Sequence, residues 1–383
     1  MKLDSIVKQL AERSAIDRML LVKGVLSRTF GLRVAPLIVG FLFLSQRSAS
    51  TIAMKLDMIF FPQLKLVKIQ SPIVVAGNPR TGSTFLQRFL CDNNFGAGLQ
   101  LYRIIYPSLI MQKLIKPIIP SLEMISPARF HNSTAHETDL QSIETDDVAV
   151  LFQYFDGFFL YGFLLAHAEE DYFDLFDPSL RDTSDRDLDF LEQLWKRSLV
   201  FTGQDRIVAK VFSPAASMPK LLDRFTDTKV LYMARDPLSV IPSTMSLVTG
   251  VLDSAFGFWK LPEELRKRYL ERLYDALVSL LQRFYEDWTN GKIDRSRVYI
   301  VQYDRMMSDF ESMMNEVCDF IGHIPSPEQL AQIKKVSIKQ RSYKSKHNYD
   351  LAKFGLDAER IHRDTAQFTE TFLNEPQRRN PYA

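Results

Sequence analysis

Four short apolar runs recur along the chain, and each has the length and composition of a buried β-strand. They are Pro72–Gly77, Arg206–Phe212, Lys229–Ala234 and Arg297–Tyr303. Longer stretches between them, such as Thr84–Asn93 and Leu261–Trp288, carry apolar residues at helical spacing. Because strands that alternate with helices need crossover connections, the pattern predicts an α/β fold. We expect a three-layer sandwich in which helices flank a central, mostly parallel sheet.

The first 70 residues follow a different pattern. Eleven apolar residues, Val34–Leu44, run without interruption between the cations Arg33 and Arg47. A run of eleven is too short to cross a bilayer, which takes about 20 residues, and no small-residue cleavage site marks a secretion signal. Two interpretations of this predicted N-terminal helical segment stay open: an ordinary core helix, or a basic, apolar helix in a membrane interface.

Two further stretches are unusually apolar. Leu101–Ile125 mixes large aliphatic residues with tyrosines and lysines and is broken by prolines, whereas Val150–Ala166 has Asp156 as its only charge. A helix that is apolar on all sides is buried in protein or in lipid. We therefore expect a central core helix over Val150–Ala166, with a membrane-facing surface or an apolar acceptor pocket as the alternatives.

Composition narrows the class of protein. Of the 383 residues 46% are hydrophobic, which allows a large core. The 48 basic and 46 acidic residues leave a net charge of +2, so no overall field favours a nucleic acid partner. Cys91 and Cys318 cannot form a disulfide framework or a CxxC zinc site, which favours a reducing, cytoplasmic setting. We expect an N-terminal segment over residues 1–70, one large domain over 71–360 and a tail over 361–383.

The sequence "VVAGNPRTGST" connects the first predicted strand to a helix. Such a loop presents backbone N–H groups and the positive end of a helix dipole to an anion. Gly77 and Gly82 allow close approach, and Ser83 and Thr84 add hydroxyl donors. An ATP-binding P-loop would carry lysine where Ser83 stands. In the predicted P-loop sandwich, this loop should therefore bind a ligand that is less charged at its reactive end than ATP.

A second anion motif follows the third predicted strand. Arg235 ends the strand, Asp236 suits the N-cap of the next helix and Pro237 its first position. Ser239 and Ser243 lie four residues apart on one face of that helix. An arginine fork with hydroxyl groups can clamp a phosphate dianion.

Together these motifs resemble those of sulfotransferases that use 3′-phosphoadenosine 5′-phosphosulfate (PAPS). "GNPRTGSTFLQRFL" is similar to the 5′-phosphosulfate loop, Gly-x-Pro-Arg-Ser/Thr-Gly-Ser/Thr-Thr, and Arg235 with Ser243 is similar to the 3′-phosphate motif. The likeness extends over roughly Ser71 to Leu356. It implies metal-independent transfer of a sulfuryl group from PAPS, with 3′-phosphoadenosine 5′-phosphate (PAP) as product. The implied nucleotide-binding residues are Asn78, Pro79, Arg80, Thr81, Gly82, Ser83, Thr84, Arg235, Ser239, Ser243, Arg341 and Lys344.

Catalysis of this kind needs charge stabilisation and a base for the acceptor hydroxyl. Arg80 is the candidate for the first role. The candidates for the base are His136 and Glu144 first, then Asp146 and Asp147. The family's usual Glu-Glu-Asp-Glu cluster reads Glu-Thr-Asp-Asp here, so the choice stays open. The same residues also fit a solvated helix start.

Three other groups are candidates for the same cleft. Lys210 ends a predicted strand and either assists the leaving group or lies on the surface. The cationic segment Lys334–His347 fits a flap over the nucleotide, in which Arg341 and Lys344 would contact it, or a solvated surface. Tyr349 and Phe354 would then stack on the base or pack inside the domain.

The acceptor is the least defined part. The apolar middle of the chain and its basic N-terminus favour a hydrophobic or lipid-like alcohol, reached from the cytoplasm with a peripheral membrane contact. Asn132 begins a glycosylation sequon that matters only in a eukaryotic lumen. Two alternatives remain: a P-loop nucleotide kinase whose magnesium strand is Val230–Asp236, or an inactive nucleotide-binding, membrane-associated protein. The sequence indicates no oligomeric state.

Overall fold

The computed structural model describes residues 14–125, 139–212, 217–341 and 350–374. The strands are β1 (Ile73–Gly77), β2 (Val208–Val211), β3 (Lys229–Ala234) and β4 (Val298–Gln302). The α-helices are α1 (Ala15–Phe30), α2 (Ala35–Phe60), α3 (Ser83–Asp92), α4 (Leu101–Ile105), α5 (Leu109–Ile115), α6 (Ile119–Ile125), α7 (Asp147–Tyr154), α8 (Phe158–Phe163), α9 (Ser184–Thr202), α10 (Met218–Arg224), α11 (Pro237–Phe256), α12 (Glu263–Thr289), α13 (Tyr303–Ser308), α14 (Phe310–Phe320), α15 (Pro327–Arg341) and α16 (Ala358–Phe372). Short 3-10 helices lie at Pro62–Lys65, Lys116–Ile118, Leu165–His167, Phe173–Leu175, Phe258–Lys260, Arg295–Arg297 and Ala352–Phe354.

The four strands lie where the apolar runs predict them and form one parallel sheet. Its order is β2-β1-β3-β4, so the central neighbours β1 and β3 are not consecutive in the chain. Val75 of β1 pairs with Lys210 of β2 and with Leu231 of β3, which in turn pairs with Tyr299 of β4. All four carboxyl ends therefore point to the same edge. The predicted parallel sheet is confirmed.

Helices cover both faces of this sheet. On one face, α3, α14 and α15 pack against all four strands in a single hydrophobic cluster. On the other face, Tyr232 of β3 stacks on Phe284 of α12, with ring centroids 3.4 Å apart, and Phe368 and Phe372 of α16 lie beside it. Strands buried on both faces must be apolar throughout, which is why they read as continuous runs. The predicted three-layer sandwich is confirmed.

The chain divides into two compact units. The sheet unit comprises Ile69–Gly98, Gln204–Ser246 and Leu277–Ala383, and the helical unit comprises Met1–Lys68, Leu99–Gly203 and Leu247–Ala276. The helices α11 and α12 each have residues in both units. The predicted division at residues 70 and 360 stays a prediction.

In the helical unit, Asp57 holds the end of α2 in place. Its fully buried carboxylate accepts hydrogen bonds from Ser108 Oγ (2.8 Å), from the N–H of Leu109 (2.9 Å) and from Arg197 Nε (2.9 Å). The first two donors belong to the start of α5, where a negative charge is favourable. Because removing one partner of a buried ion pair leaves an uncompensated charge, this contact fixes the side of α2 that faces the protein.

The apolar stretch Val150–Ala166 is not one helix, so that prediction is wrong. Between α7 and α8, Phe155 (φ 52°) and Gly157 (φ 86°) turn the chain around Asp156. The Asp156 carboxylate is buried and forms ion pairs with Arg18 (3.7 Å), Arg181 (2.5 Å) and Arg186 (3.0 Å). A buried carboxylate needs such partners. The helix is interrupted at Asp156, where the chain turns its carboxylate towards the three arginines.

The helix α2 is much longer than its apolar core. It has 26 residues, so the length argument drawn from Val34–Leu44 does not apply to the folded helix. Among the described residues, α2 and α11 are long and apolar enough to cross a membrane, which is a weak indication because core helices pass the same test. Half of the apolar window of α11 is buried, as in a core helix, but only 6% of that of α2. The predicted N-terminal apolar helix is present.

His167 lies in an aromatic cluster of the helical unit. Its ring stacks on Tyr269, with centroids 4.0 Å apart, and the edges of Phe30 and Phe258 surround it. Its Nδ1 lies 3.2 Å from the carbonyl oxygen of Leu164. Burial disfavours the charged imidazolium and lowers the pKa of His167 to about 4.

Acid should therefore destabilise the protein through His167. As pH falls through 6.5, this histidine takes up a proton in the unfolded chain but stays neutral in the folded chain down to about pH 4. The free energy of unfolding should fall by up to about 3 kcal/mol over this range. Urea unfolding at pH 7 and at lower pH measures the slope. His167→Gln should reduce it, whereas His362→Gln on the exposed face of α16 should not; equal slopes in wild type and His167→Gln would contradict this.

Candidate active site

The loop between β1 and α3, residues 77–84, is shaped by two glycines. Gly77 and Gly82 adopt φ angles of 131° and 88°, which favour glycine. A Cβ atom on Gly77 would lie 2.7 Å from the carbonyl oxygen of Met233, and one on Gly82 would lie 2.7 Å from Cε of Met306. Glycine is therefore favoured at both positions, and most strongly at Gly77, where the neighbouring atom is backbone. The loop therefore keeps its backbone close to the carboxyl ends of the neighbouring strands.

Arg80 is held at the centre of this loop. Its φ of 70° lies in the left-handed region, which costs a non-glycine residue about 1 kcal/mol or more. Its carbonyl oxygen accepts a hydrogen bond from Arg235 Nη1 (2.8 Å), and its Nε donates to Ser243 Oγ (3.0 Å). The two anion motifs found in the sequence therefore meet at Arg80.

Other polar contacts fix the first half of the loop. Asn78 is fully buried and its Nδ2 donates to the carbonyl oxygen of Leu277 (2.9 Å). Thr81 Oγ1 donates to the carbonyl oxygen of Asn78 (2.8 Å). Thr244 Oγ1 donates to the carbonyl oxygen of Val240 (2.9 Å) and also lies 3.3 Å from that of Pro79. Backbone carbonyls of the loop are thus bonded to the protein, and its N–H groups at the start of α3 are oriented for an anion.

Arg235 follows β3, as the sequence predicts. Its guanidinium lies 3.8 Å above the ring centroid of Tyr303, the residue that follows β4. Within the described part of the chain, Arg235 makes one hydrogen bond, to Arg80. A planar guanidinium fixed by an aromatic face and one hydrogen bond keeps further donors for a phosphate group.

The two serines of α11 have different partners. Asp236 caps the helix as expected, because its Oδ1 accepts the N–H of Leu238 at 3.0 Å. Ser239 Oγ donates to Asp236 Oδ2 at 3.4 Å, whereas Ser243 is buried and meets Arg80. Ser243 therefore joins the loop, and Ser239 belongs to the helix cap.

Lys210 is buried on β2 rather than on the surface. Its side chain is 1% exposed, and its Nζ donates to Thr84 Oγ1 at 2.9 Å. The interpretation as a surface lysine is therefore wrong. A buried ammonium group at the start of α3 needs hydrogen-bond acceptors, and the hydroxyl of Thr84 is one of them.

The acidic candidates for the base belong to the helical unit and are buried. Glu144 and Asp147 are 7% and 4% exposed, and Asp146 is fully buried. Thr145 Oγ1 donates to Asp147 Oδ2 (2.7 Å) just before α7. The interpretation as a solvated helix start is therefore wrong. His136, like Asn132 of the sequon, lies outside the described residues.

The predicted flap residues have different surroundings. Arg341 is the exposed last residue of α15, and Phe354 is buried within the sheet unit. Phe354 therefore packs in the protein. Lys344 and Tyr349 lie outside the described residues.

Sequence reasoning missed Thr244 and Tyr303. Thr244 could have been found as the neighbour of Ser243, and Tyr303 as the residue at the carboxyl end of a predicted strand. Within the described ranges, no three His, Cys, Asp or Glu side chains lie together as a metal site would require.

Comparison with known proteins extends this picture. The chain matches the sulfotransferase family over residues 72–326. No curated protein sequence matches the chain.

Two solved structures are similar in fold. Sulfotransferase STF1 from Mycobacterium tuberculosis H37Rv is 17% identical, with a TM-score of 0.67 over 92% of this chain and 91% of that one. Sulfotransferase STF9 from Mycobacterium avium is 16% identical, with a TM-score of 0.62 over 86% of this chain and 85% of that one. At such identities the likeness shows the fold alone. The family match covers well over half of the chain, and the chain therefore belongs to the sulfotransferase family.

Proposed function

We propose that this protein transfers a sulfuryl group from PAPS to a hydroxyl group of an acceptor. One observation carries the proposal. Arg80 bonds to Ser243, 163 positions away, and to Arg235, 155 positions away, so two phosphate motifs that are distant in sequence form one cationic site. A nucleotide with phosphate groups at both its 5′ and its 3′ position is the ligand that such a double motif suits.

The residues present fit this nucleotide. Gly77 and Gly82 let the loop backbone lie close to Met233 and Met306. This close packing supports the loop at the start of α3, where backbone N–H groups are available to phosphate oxygens. PAPS would supply the activated sulfuryl group and would leave as PAP. Its binding residues would be Asn78, Pro79, Arg80, Thr81, Gly82, Ser83, Thr84, Arg235, Ser239, Ser243, Arg341 and Lys344.

In this proposal the acceptor oxygen forms a bond to sulfur while the S–O bond to the 5′-phosphate breaks. Arg80 stabilises the charge that develops on the leaving phosphate, and Lys210 supports it through Thr84. His136 or Glu144 accepts the proton of the acceptor hydroxyl, with Asp146 and Asp147 as further candidates. The transfer needs no metal ion, because the leaving group is neutralised by arginine and lysine.

The proposed acceptor is a small molecule, with a hydrophobic or lipid-like alcohol preferred, in the cytoplasm. The apolar character of the helical unit supports this preference. A nucleotide kinase is not favoured, since Ser83 stands where its lysine would be and the chain belongs to the sulfotransferase family. The family does not favour an inactive protein either.

Nucleotide binding should distinguish PAP from ATP. In calorimetric titrations, PAP should bind with the same affinity in the presence and absence of EDTA. ATP should bind about tenfold more weakly or worse, because it has no 3′-phosphate and leaves the second phosphate site empty. Tight ATP binding that requires Mg²⁺, together with no PAP binding, would overturn the proposal in favour of a kinase.

Loss of the Arg80 guanidinium should slow the reaction. Arg80→Ala should lower transfer of radiolabelled sulfate from PAPS into a host lipid and metabolite extract by about 10² to 10³, the usual cost of one charge-stabilising donor. Arg295→Ala, which removes an exposed arginine, is the matched control and should leave the rate unchanged. Equal rates for Arg80→Ala and wild type would exclude Arg80 from catalysis.

The close approach of the loop backbone can be tested at Gly82. Gly82→Ala adds a Cβ atom that collides with Met306, whereas Gly322→Ala adds one in open space at a similar φ of 62°. Gly322→Ala should destabilise the protein by about 1 kcal/mol through its backbone conformation alone, and Gly82→Ala by at least as much, because Met306 and Tyr303 must also shift. Only Gly82→Ala should lower PAP affinity, by about tenfold or more, in calorimetric titrations of both variants. Wild-type PAP affinity in Gly82→Ala would show that the loop does not hold the nucleotide.

A further inference from the structure

The outer side of α2 carries large apolar side chains towards both ends of the helix, with the exposed residues Ser45, Ser48 and Ala49 between them. Leu37, Phe41, Ile52 and Ile59, spaced three or four residues apart or at multiples of that spacing, lie on one side of the helix and are more than half exposed. We call this side the apolar stripe of α2. Exposed leucine and isoleucine residues of α1, Ile16 and Leu20, add to the same unit. Single exposed apolar residues are ordinary, but several large ones on one side of the same helix are typical of an interaction surface.

The orientation of the stripe is set by polar contacts on the opposite side of α2. Asp57 and Ser50 are buried there, and Asp57 is bonded to Arg197 and α5. Phe43, on the same inner side, packs against Phe152 at 6.3 Å between ring centroids. Rotation of α2 that buried the stripe would expose these contacts and break a buried ion pair. The apolar side therefore faces away from the helical unit.

The charged residues of the segment that contains the stripe are almost all cationic. From Arg18 to Lys68 the sequence contains eight cationic residues and a single acidic residue, Asp57, which is buried and paired. Arg33 lies just before the stripe, Lys55 lies within α2 and Lys65 follows it, and all three are exposed. On an anionic lipid surface, such apolar side chains can contact the acyl chains while the exposed cations beside them contact the phosphate groups.

We propose that α2 docks along its length on an anionic lipid bilayer, with the apolar stripe among the acyl chains and the cations at the headgroups. The helix lies in the membrane plane instead of crossing it, because its inner side, with Asp57 and Ser50, is committed to the helical unit. A second copy of the chain is a poorer partner, since two such surfaces would bring like charges together. This inference stands on the helical unit and does not depend on the proposed sulfotransfer.

Vesicle sedimentation with the full chain tests the proposal. The protein should bind phosphatidylcholine vesicles that contain phosphatidylserine about tenfold or more tightly than pure phosphatidylcholine vesicles, and added salt should weaken binding. Replacing Phe41 and Ile59 by serine should lower binding by about tenfold or more, because two large apolar side chains are then missing from the contact with the bilayer. Ile324→Ser, at a 94% exposed isoleucine of the sheet unit, is the matched control and should bind like wild type.

Three results would overturn the proposal. The first is equal binding of the double variant and of wild type, with both shown to be folded by circular dichroism and urea unfolding. The second is a stable dimer in light scattering that the double variant dissociates, which would assign the stripe to a second copy. The third is a failure of alkaline carbonate to extract the protein from membranes of its native host, which would indicate that α2 crosses the membrane.

Discussion

Parallel pairing of all four strands is the constraint on which the site depends. Because β1, β2, β3 and β4 run in one direction, whatever follows each strand lies at the same edge of the sheet. The loop around Arg80 follows β1, Arg235 follows β3 and Tyr303 follows β4, while Lys210 of β2 reaches Thr84. A single antiparallel strand would send one of these groups to the opposite edge.

The loop itself is held in a conformation that its residues would not choose alone. Arg80 has a left-handed backbone, and both glycines are pressed against neighbouring side chains or backbone. Such strain persists only where surrounding contacts determine the conformation, and here the contacts come from Ser243 and Arg235. Both contacts come from the segment after β3 that the sequence predicts to be a second anion motif, so the shape of the loop depends on that segment.

The sequence predicts the strands, and the loop and helix start that follow β1, well because their signals are local. A buried parallel strand is apolar throughout, and a strand, a glycine loop and a helix start are contiguous in the chain. The predictions that are wrong concern residues whose partners lie far away in the sequence. The break at Asp156 depends on Arg18 and Arg181, far away in sequence, and the burial of Lys210 depends on the sheet order. No window of neighbouring residues contains that information.

In the helical unit, the buried ion pair of Asp57 and Arg197 determines which side of α2 faces outward. In an ordinary core helix the apolar side is buried and the polar side is solvated, but in α2 Asp57 lies inside and Phe41 outside. This inversion gives the two proposals a common physical basis. A lipid-like alcohol concentrates in a bilayer, so an enzyme that docks on the same bilayer meets it at a higher local concentration than in water. A purely water-soluble acceptor would leave the inversion of α2 without such a benefit.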